Sequence, residues 1–182
     1  MNRAKKKILL TGLPGVGKTT LIKKLSEELY DQHPVGFYTE EIREEAVRKG
    51  FGLVSLDGKR GLLSHIDTNS PYRVGKYKVD VKGFEDFLKG IHFLNPERSL
   101  IIIDEIGKME CLSSKFRGMI KDILSSDKVL IATIALKGGG LIEEIKKRDD
   151  VRLFEVTLKN RSSLVSEILS HVQKNHDSVD NS

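Results

Sequence analysis

Apolar residues fall along this chain in two rhythms: short unbroken runs, and longer stretches with apolar positions three or four apart. Lys7-Ile8-Leu9-Leu10-Thr11 is the first unbroken run and predicts a strand. Leu21, Ile22, Leu25 and Leu29 follow at helical spacing and predict a helix over about residues 17–30. Asp31-Gln32-His33-Pro34 breaks it. A β-rich stretch comes next, with strands over 35–43, 51–56 and 60–66, a turn over 44–50, and Asp57-Gly58 as a hairpin signal. Residues 71–80 read as irregular, with a short strand at 77–79. Helical spacing returns over 81–94, where Phe84, Phe87, Leu88 and Ile91 share a face and Asn95-Pro96 stops the helix. Leu100-Ile101-Ile102-Ile103 is the kind of run that is buried on both faces in a parallel sheet. Ser113 or Ser114 then caps a helix reaching Leu124, with Phe116, Met119, Ile120 and Ile123 inward. Residues 129–134 form another buried strand, Gly138-Gly139-Gly140 a flexible link, 141–148 a helix, 151–158 a strand and 160–174 a last helix. This alternation predicts an α/β fold with a mostly parallel central sheet and a β-hairpin insert.

Composition narrows the picture. The 182 residues suit one domain spanning 1–182, with a basic lead-in at 1–6 and a frayed tail at 177–182. With 31 Lys and Arg against 26 Asp and Glu, the net charge of +5 suits anionic ligands and permits nucleic acid without requiring it. Cys111 is the single cysteine, so no intrachain disulfide forms and a reducing cytoplasm is expected. No apolar run approaches the ~18 residues of a membrane span. The basic residues before Ile8 mimic a secretory leader, but the apolar run after them is too short and Lys18 follows.

Two stretches carry chemistry. Between the first strand and helix stands Gly12-Leu13-Pro14-Gly15-Val16-Gly17-Lys18-Thr19, which matches G-x-x-x-x-G-K-[ST] at every fixed position. Glycines there let backbone N–H groups approach a phosphate, and the helix start adds its dipole. Lys18 can reach the β- and γ-phosphates, the Thr19 hydroxyl can ligate Mg²⁺, and Thr20 can contact the α-phosphate. The second stretch is Asp104-Glu105, at the C-terminal end of the isoleucine strand, where open α/β sheets bind ligands. Asp104 fits a Walker B metal role, and Glu105 can polarise an attacking water. Other residues have two readings. Glu40, Glu41 and Arg43 either face the nucleotide or form a solvated strand end; Thr133 either touches the γ-phosphate or water, or is an ordinary strand threonine. His92 has no companion ligand at metal spacing and reads as structural. Arg117, Arg148 and Arg161 are arginine-finger candidates or surface residues, and Arg161, beside Asn160, is also placed to lie near the base.

Taken with Gly36-Phe37-Tyr38-Thr39-Glu40-Glu41-Ile42-Arg43, Arg73-Val74-Gly75-Lys76-Tyr77, Asn160-Arg161 and above all Asp104-Glu105-Ile106-Gly107-Lys108-Met109-Glu110, the chain resembles the thermophile-type nucleoside-triphosphatases. These small P-loop enzymes include a human cancer-related relative, and the likeness spans about residues 7–172. The resemblance implies a RecA-like α/β/α sandwich. It implies Mg²⁺-dependent hydrolysis of ATP, GTP, CTP and other nucleoside triphosphates, with weaker action on diphosphates. It carries residues 12–19 and Asp104, Glu105, Ile106 and Gly107 over as nucleotide-contacting segments. Lys78 stands where relatives often have glycine. A cytoplasmic monomer is expected.

Three rival readings remain open. A small-molecule or nucleotide kinase shares this loop, although the Lys and Arg residues after Asp104 are scattered and do not form an arginine-rich lid. A regulatory GTPase would read Asp104-Glu105-Ile106-Gly107 as D-x-x-G, but no [NT]-K-x-D base-reading motif occurs, so base selectivity should be low. A nucleotide-switched nucleic-acid adaptor draws on the basic balance alone.

Overall fold

In the computed structural model, residues 5–177 are described. The start of the basic lead-in and residues 178–182 of the expected tail lie outside them. The elements in order are β1 (Lys7–Thr11), α1 (Lys18–Glu28), β2 (Val35–Glu44), β3 (Val47–Ser55), β4 (Arg60–His65), β5 (Arg73–Val74), β6 (Tyr77–Val79), α2 (Val81–Lys89), β7 (Leu100–Ile106), α3 (Ser114–Ser125), β8 (Val129–Ile134), α4 (Leu141–Lys146), β9 (Val151–Glu155) and α5 (Arg161–Asp177).

All nine strands join one sheet, in the order β5-β6-β4-β3-β2-β7-β8-β1-β9. From β2 to β9 the pairing is parallel. From β2 to β5 it is antiparallel. The unbroken apolar runs become β1, β7 and β8, buried on both faces. Ile8, Leu10, Ile102 and Ile131 face one helical layer, packing with Leu21, Ile22 and Leu25 of α1 and Leu164 and Ile168 of α5. Leu9, Ile101, Ile103 and Leu130 face the other, with Phe84 of α2, Phe116 and Ile120 of α3 and Ile145 of α4. The fold is therefore the three-layer α/β/α P-loop sandwich that the sequence implied.

The insert is larger than a hairpin. The expected β3–β4 hairpin is present, but β2 runs on to Glu44 and β3 begins at Val47, leaving a turn of only Glu45 and Ala46, both with positive φ. The charged stretch that read as a turn is a projecting ribbon whose charges pair with one another, Glu41 with Arg43 at 2.6 Å and with Arg48 at 2.7 Å. Helix α2 stops at Lys89 because Gly90 follows, and Phe93 turns back under Phe37. Strand β9 stops at Glu155, and α4 at Lys146, each shorter than its apolar pattern suggested. Ser113 caps α3, accepting the Phe116 amide at 3.0 Å.

Gly36 is the tightest point of the sheet. A Cβ there would lie on the carbonyl oxygen of Ile102 in β7, so only glycine lets β2 pair at this register.

Candidate active site

Strand β1 delivers the chain into the glycine loop at Gly12. Val16 is buried and anchors the loop on the α1 layer, while Leu13, Pro14 and Gly15 face solvent. Gly15 and Gly17 take positive φ, and α1 starts at Lys18. The Lys18 ammonium folds back over the loop, donating to the Gly12 carbonyl at 3.0 Å and the Leu13 carbonyl at 3.3 Å. Thr20 lies exposed at the first turn of α1.

Asp104 is 1% exposed, yet its carboxylate is well supplied with donors. The Thr19 hydroxyl donates to its Oδ2 at 2.7 Å, the Thr39 hydroxyl to the same oxygen at 3.4 Å, and the Thr133 hydroxyl to Oδ1 at 2.6 Å. Hydroxyls from α1, β2 and β8 thus fix one carboxylate on β7. Thr133 had two readings in sequence, and its position is a third: it holds Asp104. Thr39 stood inside a quoted segment but carried no role, because the crossing of β2 over β7 has no local signature.

The Asp104–Glu105 peptide is cis, and Glu105 is half-buried beside the loop. Burial raises its carboxyl above the usual range, Asp104 adds to the rise, and Lys18 partly offsets it. Ile106 points into the core, and its carbonyl accepts the Ala135 amide at 3.1 Å. Gly107 is buried between two acids: the Cβ it lacks would sit 2.8 Å from Glu105 Oε1 and 2.8 Å from Glu110 Oε2. The Gly107 amide, together with that of Glu110 itself, hydrogen-bonds the Glu110 carboxyl. Glu110 is 5% exposed, and burial, then Glu105, pushes it up to about 8. The return of Glu110 to the site has no cue in sequence, since the short 3₁₀ turn that carries it there, Glu110–Leu112, has no periodicity.

Of the other candidates, all but Arg161 lie apart from this cluster. Glu40 pairs with Lys23 at 3.0 Å and Arg60 at 3.1 Å, and Glu41 and Arg43 belong to the projecting ribbon. Arg148 is paired with Asp150, and Arg117 donates to the Cys111 carbonyl. Arg161 reaches the loop, with Nη1 3.4 Å from the Val16 carbonyl. Among the described residues no group of three or more His, Cys, Asp and Glu side chains is arranged to hold a metal by itself. Thr19 and Asp104 offer two adjacent hard oxygens, a donor set that suits Mg²⁺ when phosphate oxygens complete the shell.

The glycine loop, the threonine-held Asp104 and Glu105 converge at the C-terminal ends of β1 and β7. Comparison with known proteins places this arrangement. The family model described as NTPase matches residues 7–169. The nucleoside-triphosphatase THEP1 of Thermotoga sp. strain RQ2 is 52% identical over 170 residues, covering 93% of this chain and 97% of the relative. The chain belongs to the THEP1 nucleoside-triphosphatase family. Within that family, the human cancer-related nucleoside-triphosphatase is 42% identical over 182 residues, covering 91% of this chain and 96% of its own. The crystal structure of THEP1 from Aquifex aeolicus superposes with a TM-score of 0.82 at 40% identity, covering 90% of this chain and 97% of that one. The THEP1 likeness therefore includes the antiparallel extension as well as the P-loop half.

Proposed function

We propose that the chain is a nucleoside-triphosphate phosphohydrolase that converts ATP, GTP, CTP and other triphosphates to diphosphate and phosphate, with low base selectivity and weaker action on diphosphates. Family membership and the nucleoside-triphosphatase names of its relatives support the hydrolase class. The observation that carries the mechanism is the juxtaposition of Thr19, Asp104 and Glu105 across from the Lys18 loop.

In this reading Gly12, Leu13, Pro14, Gly15, Val16 and Gly17 wrap the phosphates with backbone amides, and Thr20 meets the α-phosphate. Lys18 exchanges the Gly12 and Leu13 carbonyls for β- and γ-phosphate oxygens. Thr19 and Asp104 would hold Mg²⁺, which would neutralise developing charge on the phosphates. Glu105 orients the water and takes its proton as the oxygen attacks Pγ. Its half-buried position strengthens that contact by excluding solvent. The absence of an [NT]-K-x-D motif underlies the low base selectivity. Ile106 and Gly107 support this arrangement from the strand end. We place the protein in the cytoplasm as a monomer, in keeping with its lone cysteine and with the absence, among the described residues, of a helix able to cross a membrane.

The test is phosphate release from ATP, GTP, CTP and UTP with Mg²⁺, comparing wild type, Glu105→Gln and Lys18→Ala. Hydrolysis of several triphosphates, with loss of about 10²-fold or more in Glu105→Gln while nucleotide still binds, is the expected result. A strong preference for GTP, or an unaffected Glu105→Gln, overturns it.

A further inference from the structure

Behind Glu105 lies a cavity of about 240 Å³ that hydrolysis does not use. Its walls are Phe51, Leu63, Val74, Met109 and Ala135, and its polar rim is Thr39, Glu105, Lys108 and Glu110. Thr39 is the residue whose hydroxyl reaches Asp104, so the cavity opens onto the reaction centre. Three of the five apolar walls come from the antiparallel extension: Phe51 from β3, Leu63 from β4 and Val74 from β5. The Ser64 hydroxyl lies 3.3 Å from Met109 Sδ, and Phe51 packs edge-on against Tyr77, so the walls are braced.

One attacking water needs ~30 Å³, and water gains little from apolar walls. The volume exceeds the ~150 Å³ apolar cavity that admits benzene. Charge restricts the guest. The lining holds a single cation, Lys108, beside the Glu105 carboxyl, and no arginine, so it offers no clamp for a phosphorylated acceptor such as a nucleoside monophosphate.

We propose that this cavity is an acceptor site for an uncharged alcohol with a compact apolar body of about eight heavy atoms or fewer, by the ~30 Å³ that each needs. The alcohol presents its hydroxyl to Glu105 and takes the γ-phosphoryl group in place of water. The bond between Pγ and the bridging β-phosphate oxygen breaks, a bond from the alcohol oxygen to Pγ forms, and the hydroxyl proton passes to Glu105. The products are an alkyl phosphate and the nucleoside diphosphate. The inference rests on Glu105 acting as base in the proposed hydrolase.

The experiment incubates the full chain with Mg²⁺, γ-³²P-ATP and equal concentrations of methanol, butan-1-ol or cyclohexanol, and separates alkyl phosphate from free phosphate. Butyl or cyclohexyl phosphate should exceed methyl phosphate by about tenfold or more, the scale that a few buried methylenes supply. Val74→Trp, which fills the cavity from its apolar wall, should cut transfer to the larger alcohols by about tenfold and leave phosphate release within about twofold. Free phosphate with no excess transfer to the larger alcohols overturns the acceptor site and leaves the hydrolase standing. So does a Val74→Trp variant that transfers as well as wild type. Absence of both products overturns both readings.

Discussion

Gly107 and Glu110 govern how freely Glu105 can move. A methyl group at position 107 would press on Glu105 Oε1 and Glu110 Oε2 together, each 2.8 Å away. Gly107→Ala should therefore lower kcat by about 10²-fold, the usual cost of an ångström of misplacement, with KM nearly unchanged. Steady-state kinetics on ATP decide it, and an equal rise in KM would mean the loop had been disturbed instead. Glu110 also makes stability depend on pH. Its carboxyl holds a proton up to about 8 in the folded chain but releases it near 4.5 when unfolded. The stabilising contribution is thus complete below the unfolded value and is lost as pH rises towards 8, with a slope of at most about 1.4 kcal/mol per pH unit. Glu110→Gln should flatten that slope in urea midpoints measured without nucleotide from pH 5 to 9; parallel curves would contradict the assignment.

At the scale of elements, the register of β2 on β7 depends on Gly36. Gly36→Ala puts a methyl group onto the Ile102 carbonyl, so its cost should exceed the ~0.5–3 kcal/mol of an ordinary substitution. Chemical denaturation measures this, and a loss under about 1 kcal/mol would show that the β2–β7 pairing yields. The elements most legible in sequence were those with an uninterrupted apolar signal, β1, β7 and β8, and those with capping or turn chemistry, such as α3 behind Ser113 and the Asp57-Gly58 hairpin. The 44–50 stretch was misread because its ribbon is stabilised by cross-strand ion pairs in solvent rather than by an alternating apolar face. The two-residue β5 is too short for any period. At the site, the loop and the acidic pair were readable because their spacing is local. The Thr39 and Thr133 contacts and the return of Glu110 were not, because each depends on which strands become neighbours.

The whole molecule divides into a parallel half that carries the loop and Asp104 and an antiparallel half that walls the space beyond Glu105. Its excess of cations over acids should draw in triphosphates, so KM for ATP should rise with ionic strength while kcat changes little. A KM independent of salt from about 0.05 to 0.5 M would remove net charge from the account. Chelation with EDTA should stop phosphate release, and added Mg²⁺ should restore it. Strand β8 separates β1 from β7. Two strand spacings, about 10 Å, therefore lie between the β1 and β7 backbones, and the Thr19 hydroxyl, donating to Asp104 at 2.7 Å, bridges them at the strand ends. A nucleotide that engaged both the loop and Asp104 would tie β1 to β7 across β8, which pairs with each of them. The slowing of hydrogen exchange on nucleotide binding should then be recorded in the amides of Leu130, Ile131 and Ala132, buried in the strand between.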